Sequence, residues 1–267
     1  MRLIVFIWLT TFYKVVFATN LPGGARCAGL AGITSTQKDV FSVVNNQGGL
    51  AFVDNFTSAL HHESCFFIKE LAVKSVALSL PAFKSTFGVS HVTRGSRLYK
   101  SSTSGLSFSK KLAKNIGAGI KINFLNFSTS NKYNKNYCFT ADGGFIYSPL
   151  EELIIGATVS NFTGTFHKSR EEINPSTRFI TGVSYQISKY LRVYCEAETS
   201  TSHSSNLRFA TELNLIKNLY LRGGIITQPV ASTAGMGFRY RNLFFDAAIS
   251  WHQVLGATPS FSIIFSR

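Results

Sequence analysis

Three segments in the second half of the chain alternate between mostly apolar and mostly polar or charged side chains. Leu191, Val193, Cys195 and Ala197 alternate with Arg192, Tyr194, Glu196 and Glu198. Phe209, Thr211, Leu213 and Leu215 alternate with Arg208, Ala210, Glu212 and Asn214, and Leu219, Leu221, Gly223 and Ile225 with Tyr220, Arg222, Gly224 and Ile226. A repeat of two puts successive side chains on opposite faces, which is a β-strand. One apolar face and one ionised face suit a strand with lipid on one side and a wet lumen on the other.

From about residue 56 the pattern predicts fourteen strands, centred near residues 62, 76, 88, 104, 121, 141, 156, 182, 195, 210, 223, 236, 247 and 262. Two classes of link join them. Tight links are expected at 110–115, 148–152, 188–190, 216–218 and 241–243, and longer polar ones at 93–99, 126–136, 163–176 and 200–206. Their alternation predicts an all-β, transmembrane, antiparallel up-and-down barrel with short turns on the periplasmic rim and longer loops outside. An even strand number puts both chain ends on one rim. Closure leaves no unpaired strand edge, which lipid demands. Phe124, Phe127, Tyr133, Tyr137, Tyr147, Phe162 and Phe166 lie near strand ends, where aromatic girdles form. A soluble exported sandwich would alternate too, but would not need two loop classes.

Residues 1–18 read as a signal peptide: Arg2, an apolar core over 3–9, and a small-residue site at Val16-Phe17-Ala18. That apolar run is too short to span a bilayer as a helix. Residues 19–55 form a separate Gly-rich segment, with Gly23-Gly24-Ala25-Arg26-Cys27-Ala28-Gly29 and Asn46-Gln47-Gly48-Gly49. Such glycine density predicts tight turns and close backbone approach rather than regular helix. The segment is expected either as a plug or lid near the lumen or as a disordered leader, with the barrel over 56–267.

Composition agrees with export to a membrane. Charged residues are 15% of the chain, against roughly 25% in soluble domains. The formal charge is +14, but the basic residues are dispersed, which points to lipid headgroups rather than nucleic acid. Cys27, Cys65, Cys138 and Cys195 are far apart and in no CxxC pattern, so free thiols are expected.

The predicted lumen-facing charge network is Lys121, Asp142, Arg192, Glu196, Glu198, Arg208, Glu212, Arg222, Arg239, Arg241 and Asp246. Neighbouring strands would bring Arg192 and Glu196 near Arg208 and Glu212, and Arg222 near Glu212 and Arg239. A narrow lumen must pair such charges, because an unpaired confined charge is costly. The network would either stiffen the barrel or line a conduction or ligand path. No catalytic, cofactor or metal pattern emerges. His61 and His62 are adjacent on a strand and point to opposite faces. Asp246, Ser250 and His252 form the only grouped C-terminal triplet, without a recognisable nucleophile setting.

Several stretches resemble the PorV/PorQ group of Bacteroidota outer-membrane proteins, relatives of the FadL-like transport barrels. Ala25-Arg26-Cys27-Ala28-Gly29-Leu30-Ala31-Gly32 resembles the group's mature N-terminal run. Asn46-Gln47-Gly48-Gly49-Leu50-Ala51 resembles its "NPAGLA" element, and Leu255-Gly256-Ala257-Thr258-Pro259-Ser260-Phe261-Ser262-Ile263 its closing strand. Asp142-Gly143-Gly144-Phe145-Ile146-Tyr147 and the run 153–164 resemble its central hairpin. The resemblance implies a fourteen-stranded barrel in the outer membrane of a Gram-negative, Bacteroidota-type bacterium, without enzymatic activity. It also implies an accessory, shuttle or scaffold role in type IX secretion, with translocon or attachment components or cargo C-terminal domains as partners. The chain departs from the motifs at Gln47 and Pro259. The alternative is a FadL-like channel for hydrophobic or small solutes, with the Gly-rich segment as a hatch.

Overall fold

The computed structural model describes residues 23–96, 99–129, 135–162, 167–168, 175–202 and 204–267. The expected signal peptide lies outside the described residues. The strands are β1 (Thr57–Glu63), β2 (Val73–Ala82), β3 (Ser85–Gly95), β4 (Tyr99–Ala113), β5 (Ile116–Thr129), β6 (Lys135–Tyr147), β7 (Leu153–Ser160), β8 (His167–Lys168), β9 (Arg178–Gln186), β10 (Leu191–Ser200), β11 (Asn206–Ile216), β12 (Leu219–Thr227), β13 (Val230–Tyr240), β14 (Leu243–His252) and β15 (Gly256–Ser266). Each pairs antiparallel with its neighbour. β1 pairs with β15, and β5 with β6, so the sheet closes. Fourteen strands make the wall. The two-residue β8 only adds to the far end of β6, and β7 pairs directly with β9.

All fourteen expected strand centres fall inside wall strands. Alternation is the reason: on β2 the burial pattern switches at every residue from Val73 to Leu80. Inward positions carry Ser75, Ser107, Lys121, Asp142, Glu196, Arg208 and Arg222, all buried. Outward positions carry Leu78, Val89, Leu106, Ile122, Phe209 and Ile263, all exposed. Phe124 stacks outside with Phe139 and Tyr137 at ring separations of 5.1 and 6.2 Å. Phe127 takes the lumen-side parity instead, since its register neighbours alternate with Phe124. Tyr133 and Phe166 lie outside the described residues.

Both ends of the wall meet at one rim, where the Arg267 amide donates to the Phe56 carbonyl at 2.9 Å. The links at this terminal rim are all short, and one was not legible in the sequence. Residues 83–84 turn with positive φ at both Phe83 (53°) and Lys84 (57°). That is the geometry usually served by Asn-Gly, and Phe-Lys carries no such signal. At the opposite rim the links expected over 93–99 and 126–136 are shortened by strand pairing that runs to Gly95↔Lys100 and Ser128↔Lys135, and two links outside those expectations are short as well. Residues 228–229 and 253–255 are short, because pairing runs to Thr227↔Val230 and to His252↔Gly256.

No helix among the described residues is long and apolar enough to cross a membrane. The apolar exterior has a measurable consequence. Ile122 sits mid-strand on β5 and is 57% exposed. Ile122→Arg is expected to cost about 2–4 kcal/mol if hydrocarbon surrounds it near the bilayer midplane, against less than about 0.5 kcal/mol for an exposed site in water. Urea unfolding titrations of protein refolded into bilayers distinguish the two.

Candidate functional site

Residues 23–55 fill the lumen. Short helices form where the glycine content predicted none: α1 (Gly24–Gly29), a 3₁₀ turn (Val40–Val43) and α2 (Gln47–Leu50). Side chains supply caps. Asp39 accepts from the Phe41 amide at 2.9 Å, and Asn46 from the Gly48 amide at 2.9 Å. Burial against the wall makes up for the weak helix propensity of glycine. α1 packs on β12–β15, and α2 on β4–β6 across the lumen. Leu30 and Ile33 are buried against Tyr194 and Ala210, Phe41 against Ala59 and Ile264, and Val43 against Leu50.

Glycine sets how closely segment and wall approach. A methyl group on Gly48 would fall 2.7 Å from the backbone of Phe145 and Ile146. One on Gly156, which faces inward from β7, would overlap the Ser35 carbonyl. Valine is normally preferred over glycine in a strand. Gly156→Val should nevertheless destabilise by about 1–3 kcal/mol through overpacking. Gly143→Ala, whose new methyl meets only the Phe162 ring at 3.7 Å, should be near neutral in the same urea titration.

Three clusters of charge line the lumen, and the first two pin the segment to the wall. In the first, Glu212 on β11 accepts from Arg26 Nη2 at 2.9 Å and Nε at 3.1 Å, from Arg222 Nε at 2.7 Å and from the Tyr194 hydroxyl at 3.0 Å. Arg222 also donates to Asp246 at 2.5 Å, and Arg26 lies 3.6 Å from Asp39. Burial opposes charge on Arg26, yet Glu212, Tyr194 and Asp39 hold its guanidinium pKa well above the ordinary value. Burial pushes the Asp39 carboxyl up, with Arg26 pulling the other way.

In the second cluster, Glu196 is fully buried. One oxygen accepts from the Thr34 and Ser35 amides at 2.8 Å each and the Ser35 hydroxyl at 2.7 Å. The other accepts from Arg208 at 2.9 Å. Arg208 also pairs with Glu198 and donates to the Gly32 carbonyl at 3.1 Å, while Arg178 pairs with Glu198 at 3.3 Å. In the third, Asp142 accepts from Asn123 at 2.7 Å and the Asn161 amide at 2.9 Å, with Lys121 4.0 Å away.

Three of the expected network residues stand apart. Arg192 is in register with Glu212 but donates to Gln186 at 2.7 Å, because Arg26 and Arg222 already occupy that carboxylate. Arg239 is exposed near the terminal rim, 4.7 Å over the Phe244 ring, and does not meet Arg222. Arg241 is not lumen-facing: it sits in the turn at 241–242 with φ 51°, exposed beside Tyr240. Sequence reasoning missed Arg26, Asp39 and Arg178 as members. Arg178 had a local signal, since it shares the parity of inward Ile180 and Ser184. Arg26 and Asp39 had none, because they lie off the strands.

Among the described residues no group of three or more His, Cys, Asp or Glu side chains could hold a metal. His61 is buried inside and His62 exposed outside. His252 accepts from the Val254 and Leu255 amides, and Asp246 is taken by Arg222, so no acid–base relay joins them. Beside the first cluster a cavity of about 330 Å³ opens near the terminal rim. Arg26, Lys38, Asp39 and Asp54 line it together with Val40 and Phe244. Burial, then Arg192 and Lys111, lower the Lys38 pKa.

No family model and no curated protein matches the chain. Solved structures do. The toluene transporter TodX of Pseudomonas putida is 9% identical with a TM-score of 0.66, over 91% of this chain and 96% of that one. The toluene transporter TbuX of Ralstonia pickettii is 10% identical with a TM-score of 0.64, over 91% and 97%. A FadL homologue of Pseudomonas aeruginosa is 12% identical with a TM-score of 0.60, over 91% and 96%. At these identities the likeness establishes one thing: the chain has the barrel fold of these transporters.

Proposed function

We propose that this protein is a non-enzymatic outer-membrane channel for small solutes with an apolar body, with residues 23–55 as its plug. The observation that carries the reading is the segment threaded through a closed fourteen-stranded wall and held by Glu196 and Glu212. The wall's apolar exterior supports placement in lipid. Its fold is that of proteins described as toluene transporters. The cavity beside Arg26 is about 330 Å³, well above the ~150 Å³ that suffices for benzene in a protein interior. Its mixed lining suits a solute with an apolar body and one polar group. The test is entry of radiolabelled toluene and benzoate into Gram-negative cells that lack their own transporters. Faster entry with the protein than without it is expected; equal rates would remove the reading.

A second reading, a secretion-associated scaffold of the type IX kind, rests on the N-terminal and closing-strand motifs. It is favoured by the extent to which buried side chains fill the lumen. Affinity purification from native outer membranes should then recover translocon or attachment components reproducibly. Recovery of the barrel alone would remove it.

A further inference from the structure

In the half of the wall towards the rim opposite the chain ends, the described outward positions are uncharged except on one group of strands. On β1–β4, towards the rim opposite the chain ends, the outward positions His62, Lys74, His91 and Lys100 are exposed and basic or imidazole-bearing. Outward positions in the same half of β9–β15 are uncharged, among them Phe179, Leu207, Ile225, Val230 and Trp251. A wall that only brushed headgroups would spread its cations around the rim. Among the described outward positions of that half they are gathered on β1–β4.

The register shows how. His62 faces Lys74 directly across β1–β2, and Lys74 faces Thr93 across β2–β3. One row lower, Val76 faces His91, and His91 Nδ1 lies 2.9 Å from the Ser104 hydroxyl. Below that the outward face is Leu78, Val89 and Leu106. Two like-charged or polar side chains stand opposite each other in His62 and Lys74, and among the described residues no carboxylate pairs with either. Where His62 carries a proton the pair is of like charge, which a bridging anion would offset. Between them a groove of about 460 Å³ runs down the outer wall. Its upper row is Phe261, His62, Lys74 and Thr93, and the row below is Ile263, Leu60, Val76 and His91.

We propose that this groove binds a phosphorylated, acylated lipid of the leaflet facing the rim opposite the chain ends. The ammonium of Lys74, the imidazole N–H groups and the hydroxyls of Thr93 and Ser104 offer several donors on one side. A phosphate presents three strong acceptor oxygens to such a set. Its acyl chains lie on Leu60, Val76 and Ile263, and on Leu78 and Val89 beneath them, where their burial is favourable. The assignment rests on the outer-membrane reading and on the chain ends being periplasmic, which makes that leaflet the outer one. Its characteristic phosphorylated lipid is lipid A.

The test is native mass spectrometry of the full-length protein in detergent, titrated with bisphosphorylated lipid A, with the same lipid dephosphorylated, and with inorganic phosphate. Lipid A is expected to bind, and the dephosphorylated lipid and free phosphate at least about tenfold more weakly. Lys74→Gln should weaken lipid A binding about fivefold, and Lys74→Gln with His62→Ala about tenfold or more. Lys217→Gln on the terminal rim should change nothing. Heat-modifiable gel migration checks that each variant is folded, and the single variant stands if the double one is not. Equal binding of the dephosphorylated lipid, equal affinity for free phosphate, or an unaffected Lys74 variant would overturn the site. An epitope inserted after Lys69 and read by antibody on intact cells tests the orientation separately. A hidden epitope overturns the outer-leaflet source, whatever the titration shows.

Discussion

Replacing Glu212 with alanine is expected to lower the unfolding free energy by about 3 kcal/mol or more, the usual cost of breaking a buried ion pair from one side. Glu212 is the shared acceptor of Arg26 on the plug and of Arg222 and Tyr194 on the wall. After its loss Arg222 keeps Asp246, and Arg26 keeps Asp39 at 3.6 Å and the Tyr194 hydroxyl at 3.5 Å. Two guanidinium groups then share one carboxylate fewer in a confined space. Glu212→Gln should cost less, since an acceptor oxygen remains. The measurement is urea unfolding in bilayers, together with hydrogen exchange over residues 24–29, which should quicken. Arg26→Met is expected to be non-additive with Glu212→Ala, because both break the same contact. Simple additivity would mean that this pair does not join plug to wall.

Glu196→Ala is the second large expected effect, and it acts at a different point on the plug. It orphans the Thr34 and Ser35 amides and the Ser35 hydroxyl together, and takes one partner from Arg208. Leaving a buried donor unsatisfied costs about 1–3 kcal/mol each, so a loss of about 3 kcal/mol or more is expected. Residues 32–36 should detach first, which faster amide exchange there would report. Planar-bilayer recordings should show higher conductance than the intact protein, because the detached loop no longer occupies the lumen beside Gly156 and Gly182. Glu198→Ala provides the contrast. Among the described residues Glu198 pairs only with Arg178 and Arg208 on the wall, so its removal should leave the plug in place. Unchanged exchange at 34–35 in Glu196→Ala would mean that shape, not charge, retains the segment.

Local order explains which parts of the molecule were readable. The strands were, because a period of two needs only neighbouring residues to show which side faces outward. Short turns were readable where Pro, Asn or charged residues mark them, and not at Phe83-Lys84, whose side chains are unusual for two positive φ angles. The charges on β10–β12 were placed on the correct side by parity. Their partners were only partly legible: Glu196 with Arg208 and Glu212 with Arg222 follow from adjacent-strand register. Arg192, Arg239 and Arg241 did not follow, since a shared carboxylate, a rim position and a turn each removed one from the network.

Alternation along the chain therefore determined by itself that this protein is made of antiparallel strands, which residues face outward, and that the interior is ionised. Only the tertiary structure decided what occupies that interior. Arg26 meets Glu212 across 186 residues of sequence, and Ser35 meets Glu196 across 161. Such contacts depend on closure of the whole sheet and on glycines that let a second backbone come close, and no local repeat encodes either.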